Sequence, residues 1–148
     1  MHQLRPRILM IEDDEKRLEI LRSWLPEDLI VVQASSAGRA LGILEKDRGY
    51  VYAGIMLDHD LQMQTATEAD KALSGSDIVN AVIGNIDRRT AIFVHSYNRA
   101  RAPLMAEKLR KAKFSVYQKF FDMLAEEEVR DWAEDALDYW RDWNELSG

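Results

Sequence analysis

Residues 55–61 read IMLDHDL, an apolar run that gives way at once to Asp58, His59 and Asp60. A central strand buried on both faces has this form when it delivers ionisable groups at its carboxyl end. A second run, Ile8 to Ile11, ends in the same manner in Glu12, Asp13 and Asp14. Two such strands, parallel and adjacent, would bring several carboxylates close together. A cluster of that kind repels itself near neutral pH unless protons or a cation neutralise it. Because the ligands are all oxygen, a hard ion is expected: magnesium, manganese or calcium rather than zinc. Asp14 has a second reading, as the cap of a following helix.

The chain of 148 residues, 47 % hydrophobic and 31 % charged, suits one globular domain over 1–148 with a sizeable core. Without cysteine there are no disulfides, thiolate metal sites or cysteine nucleophiles. The opening residues, MHQLRPR, lack the apolar core of an export signal, and no run approaches the roughly 18 residues of a membrane span. A soluble, cytoplasmic protein is expected, with no membrane partner. The net charge of -6 gathers at the end, where nine acids after Leu124 face only Arg130 and Arg141. Such a tail repels nucleic acid. By contrast, Arg88, Arg89, Arg99, Arg101, Lys108, Arg110, Lys111 and Lys113 crowd one segment, either as solvated helix faces or as a nucleic-acid surface.

Outward from the two acidic strand ends, the hydrophobic period alternates between strand and helix. Arg7–Ile11 is a strand, and Asp14 can cap a helix carrying Leu18, Leu21 and Leu25 up to Pro26. Leu29–Gln33 is a β-branched strand, and Ser35 or Ser36 caps a helix with Ala37, Ala40, Leu41 and Leu44 on one face. Val51–Leu57 is the third strand. The polar stretch 62–74 is too long for an ordinary strand-to-helix connection and reads as a loop or lid. Helix Gly75–Ile86, strand Ala91–Val94, helix Asn98–Lys113, strand Ser115–Gln118 and a long helix over 121–146 complete the order. The last helix carries Trp132, Ala136, Tyr139 or Trp140, and Trp143, a core face of which part could pack against a second copy as a homodimer.

Five strands alternating with five helices predict an α/β fold, a doubly wound parallel sheet with right-handed crossovers. Ligands of such sheets bind at the carboxyl ends of the strands. The unusual polar groups converge there: Glu12 and Asp13, then Asp58 to Asp60, then His95, Ser96 and Asn98, and finally Lys119.

The segment RILMIEDDEKRLEIL, followed by VVQASSAGRALGIL and Asp58, resembles the receiver domain of two-component response regulators. The resemblance implies strand order 2-1-3-4-5. It also implies Glu12 and Asp13 as the acidic pair, Asp58 as phosphoacceptor, the Asp60 carbonyl as a further metal ligand, Ser96 as the phosphoryl-binding hydroxyl and Lys119 as its lysine partner. Several positions depart from the receiver pattern. Gln62 and Met63 stand where a proline is usual, Phe120 replaces the proline after the lysine, and Val116 occupies the switch-aromatic position with Tyr117 one place late. Either His95 or Ser96 fills the hydroxyl position.

LDHDL (Leu57 to Leu61) and HSYN (His95 to Asn98) are similar to a variant group, the cyclic-phosphate-processing receiver domains. That resemblance implies phosphoesterase chemistry on a cyclic phosphate, such as an RNA end or a nucleotide. Mg2+ or Mn2+ would sit on Glu12, Asp13, Asp58 and Asp60. His59 or His95 would move protons, while Ser96, Asn98, Lys119 and Arg99, with Arg101 outside them, would bind phosphoryl oxygens. The alternative is a stand-alone response regulator in which Asp58 accepts a phosphoryl group from a histidine kinase or phosphotransfer protein, with Ser96 and Lys119 stabilising it.

Overall fold

A computed structural model describes residues 5–58 and 75–147. His59, Asp60 and the stretch 62–74, with its expected lid, lie outside the described residues. The apolar runs form a five-stranded parallel sheet in the order β2-β1-β3-β4-β5. The strands are β1 (Arg7–Ile11), β2 (Ile30–Ala34), β3 (Gly54–Leu57), β4 (Ala91–Val94) and β5 (Val116–Gln118). Between and after them come α1 (Glu15–Trp24), α2 (Ala37–Lys46), α3 (Gly75–Asn85), α4 (Arg101–Lys111) and the long α5 (Glu126–Ser147).

Residues alternate across a strand, so each run feeds two cores. Ile8 and Met10 of β1, Met56 of β3 and Phe93 of β4 face α1 and α5, where Leu21, Leu25, Val129, Ala133, Leu137 and Trp140 close over them. Leu9 and Ile11, Ile55 and Leu57, and Ile92 and Val94 face the other layer, built from Ala37, Ala40 and Leu44 of α2 and from residues of α3 and α4. Burial on both faces explains why the central strands are continuously apolar rather than alternating.

The helix starts follow their caps. Asp14 Oδ1 accepts from the Arg17 amide at 3.0 Å, and Ser36 Oγ accepts from the Arg39 amide at 3.1 Å. Asn98 is not helical: its Oδ1 accepts from the amides of Ala100 and Arg101 at 3.1 and 2.8 Å, so α4 begins three residues later than its apolar pattern suggested. β3 begins at Gly54 rather than Val51, although Tyr52 and Ala53 are buried. The final helix is interrupted as well. Phe121–Met123 form one 3-10 turn, Leu124 is extended, and α5 starts at Glu126 with Glu128 accepting from the Ala125 amide. Its buried stripe is Val129, Ala133, Ala136, Leu137 and Trp140, while Tyr139 is 54 % exposed. Trp132 lies over β3: a Cβ at Gly54 would come within 2.6 Å of the Trp132 ring, so glycine there is what lets the helix settle on the sheet. Among the described residues no helix is long and apolar enough to cross a membrane.

Candidate functional site

Backbone hydrogen bonds continue past the strand ends and hold the next residues in register. The Glu12 amide donates to the Ala34 carbonyl (3.1 Å), Asp58 to Ile11 (3.0 Å), His95 to Leu57 (3.0 Å) and Lys119 to Val94 (3.0 Å). The polar side chains that follow the apolar runs are thus carried on the sheet itself.

Glu12, Asp13 and Asp58 are 1, 2 and 3 % exposed, and each offers an oxygen within 4.8 Å of the others. This is a buried, all-oxygen donor set that carries three negative charges when ionised. These are three of the four residues expected from sequence to hold a hard cation, the fourth, Asp60, lying outside the described residues, and the three could hold such an ion. A recess of about 350 Å³, lined by Glu12, Asp13, Ser35 and Arg39 among others, opens beside it.

Arg17, which the sequence reading did not single out, reaches into the cluster from the first turns of α1. Its Nε donates to Glu12 Oε1 at 2.9 Å, and its Nη2 donates to Glu12 Oε2 at 3.1 Å and Asp58 Oδ2 at 3.3 Å. Nη2 also stands 3.5 Å from Asp13 Oδ1. Burial works against the charge of this guanidinium, but the hydrogen bonds to Glu12 and the charges of Glu12 and Asp58 outweigh it and hold Arg17 protonated. Its outer side lies 4.9 Å from the Tyr97 ring centroid and 5.9 Å from that of Phe121, a cation–π setting. One arginine neutralises only part of a three-carboxylate cluster.

His95 sits at the edge of the cluster, fully buried. Its Nδ1 is 3.8 Å from Glu12 Oε1, too far for a hydrogen bond, and neither ring nitrogen has a hydrogen-bond partner among the described residues. Burial, helped by the charge of Arg17, pushes its pKa down to about 3, so the imidazole is neutral and the contact with Glu12 is not an ion pair.

Of the remaining described candidates, Ser96, Asn98, Arg99 and Lys119 are engaged elsewhere. Ser96 is buried, and its Oγ accepts from the Asn98 amide at 3.1 Å in a tight turn. Asn98 serves the start of α4. Arg99 forms a bidentate pair with Asp122 at 2.9 and 2.8 Å and lies over the Phe120 ring at 4.0 Å. Lys119 Nζ is 3.4 Å from Glu128 Oε2 on α5, and Glu128 also accepts from the Tyr117 hydroxyl. Arg101 is exposed in the first turn of α4.

The sequence model of the cyclic-phosphate processing receiver domain matches residues 8–111. No curated protein is significantly similar to this chain. Among solved structures, the signal receiver domain of a protein described as a Luxo repressor, from Vibrio parahaemolyticus, superposes with a TM-score of 0.68. It is 17 % identical over 98 % of this chain and 99 % of that one. A CheY-like response regulator receiver domain protein from Methanospirillum hungatei gives a TM-score of 0.63 at 17 % identity, over 98 % and 100 % of the two chains. An adenylate cyclase structure from Rhodopirellula baltica gives 0.66 at 16 % identity, over 97 % and 96 %. At these identities the likeness is one of fold.

Proposed function

Since this chain belongs to the cyclic-phosphate processing receiver domains, we propose that it is a divalent-cation-dependent phosphoesterase that opens a cyclic phosphate on an RNA end or a nucleotide. The observation that carries this reading is the buried cluster of Glu12, Asp13 and Asp58 beside a neutral His95 whose ring nitrogens have no hydrogen-bond partner among the described residues. An ordinary phosphoacceptor site has no need of a buried imidazole.

Glu12, Asp13 and Asp58 would hold Mg2+ or Mn2+, joined by the Asp60 carbonyl. The ion supplies charge neutralisation for a bound phosphate and a lowered pKa for bound water. His95 and His59 are the candidates for moving the proton; for His95 this requires the negative charge of a bound phosphate to offset the burial that keeps its ring neutral. In the reaction the water oxygen bonds to phosphorus, one ring P–O bond breaks, and the water proton ends on the departing oxygen. Ser96, Asn98, Arg99 and Lys119, with Arg101 farther out, would receive phosphoryl oxygens. For Arg99 and Lys119 this requires leaving Asp122 and Glu128.

A second reading, a response regulator phosphorylated on Asp58 by a histidine kinase or phosphotransfer protein, is supported by the receiver fold of the structural neighbours. In this reading too Lys119 would have to leave Glu128. One experiment separates the two: purified protein with magnesium is given an RNA oligonucleotide ending in a 2′,3′-cyclic phosphate, beside an acetyl-phosphate incubation read by intact mass. We expect ring opening that is reduced at least about a hundredfold in Asp58→Asn and His95→Ala. Untouched RNA together with a mass gain of one phosphoryl group would replace this reading with the second.

A further inference from the structure

We infer that Arg17 and a divalent cation exclude one another at this site: Arg17 is the resident counter-ion of the carboxylate cluster, and the arriving ion releases its guanidinium toward Tyr97 and Phe121. This rests on the cation site proposed above and adds a residue that the receiver resemblance does not supply. The argument begins with the donor set. Nη2 of Arg17 touches or approaches one oxygen from each of the three carboxylates, at 3.1 Å (Glu12), 3.3 Å (Asp58) and 3.5 Å (Asp13). An ion bound at about 2.1 Å to one oxygen of each residue would draw on the same three side chains. It would also place two further positive charges within a few ångströms of a guanidinium that cannot lose its proton.

The second part is where the side chain goes. Arg17 is anchored at the start of α1 by the Asp14 cap, which receives its backbone amide and does not depend on the guanidinium. Its outer side already faces the Tyr97 and Phe121 rings, which contact each other edge-on at 5.3 Å between centroids. Tyr97 is 43 % exposed, so a displaced guanidinium finds an aromatic, partly wet surface at the mouth of the site rather than a buried void. The measured cation affinity is then the intrinsic affinity reduced by the fraction of time that Arg17 is out.

The test is a magnesium titration of the wild-type protein and of Arg17→Gln by calorimetry. In parallel, the Arg17 Nε–Hε resonance of the wild type is followed by NMR, assigned by its absence from the variant. We expect the magnesium dissociation constant to fall about tenfold or more in Arg17→Gln. The Nε–Hε signal, held by Glu12 in the metal-free protein, should move to a solvent-exposed position as magnesium saturates. If Arg17→Gln folds only with magnesium present, that dependence supports the inference, and the wild-type resonance still decides it. Magnesium binding with the Nε–Hε signal unmoved, or with equal affinity in both proteins, overturns the exclusion and leaves the cation site standing. No magnesium binding in either protein overturns both.

Discussion

At the scale of single residues, His95 concentrates the most physics in one side chain. Its folded pKa of about 3 lies below the 6.5 of an exposed histidine, because burial excludes the imidazolium. The unfolded chain therefore binds a proton that the folded one refuses, and the stability contributed by the neutral ring is fully present above about pH 6.5 and lost as pH falls toward 3. Between pH 7 and pH 5 the wild type should lose about 2 kcal/mol more than His95→Phe, a difference measured by urea denaturation of both proteins at the two pH values. The residues that make the site differed in how plainly they could be read. Glu12, Asp13, Asp58 and His95 each follow an apolar run, and a parallel sheet brings such positions together by construction. Arg17 stands in the run EKR on a helix whose neighbours Glu15 and Lys16 are exposed, and nothing in its local pattern marks it as the one that turns inward. Lys119 follows a strand like the others, yet its partner Glu128 could be known only from where the last helix starts.

Elements were legible to the extent that one physical cause set their ends. The bounds of β1 and β4 follow from apolar runs closed by charged or polar residues, and Asp14 and Ser36 mark α1 and α2 by hydrogen bonds that their side chains make. β3 is shorter than its apolar run because Val51, Tyr52 and Ala53 are apolar without belonging to the regular strand. The helical pattern of the last segment runs on through Phe121–Met123 because a 3-10 turn has nearly the periodicity of the α-helix it precedes. The fit of α5 on β3 gives the sharpest test at this scale. Gly54→Ala places a methyl carbon 2.6 Å from Trp132 Cη2 and 3.0 Å from Cζ2, so either the indole or the whole helix must move. A loss of about 1–3 kcal/mol is expected in chemical denaturation, partly recovered by adding Trp132→Phe, whose smaller ring vacates that space. A neutral Gly54→Ala would show that Trp132 does not press on β3 at this position.

Over the whole molecule, charge and exposed aromatic surface oppose each other along α5. Tyr139 is 54 % and Trp143 40 % exposed, the latter with Arg89 lying over its ring at 3.7 Å. A homodimer through this face would bury Tyr139 but also bring together two copies of a segment with nine acids and two arginines. Salt screens that repulsion, so we expect self-association in sedimentation experiments to strengthen from low to high ionic strength and to disappear in Tyr139→Lys. A monomer at every salt concentration would remove the dimer. The backbone ladder that runs on from Ala34, Ile11, Leu57 and Val94 to Glu12, Asp58, His95 and Lys119 reaches further still. It makes the sheet a jig: each functional position is set by main-chain atoms that every residue type possesses, so a side chain can be exchanged there while its Cα stays where it was. A lineage built on such a jig can exchange the side chain at one functional position at a time without redesigning the fold.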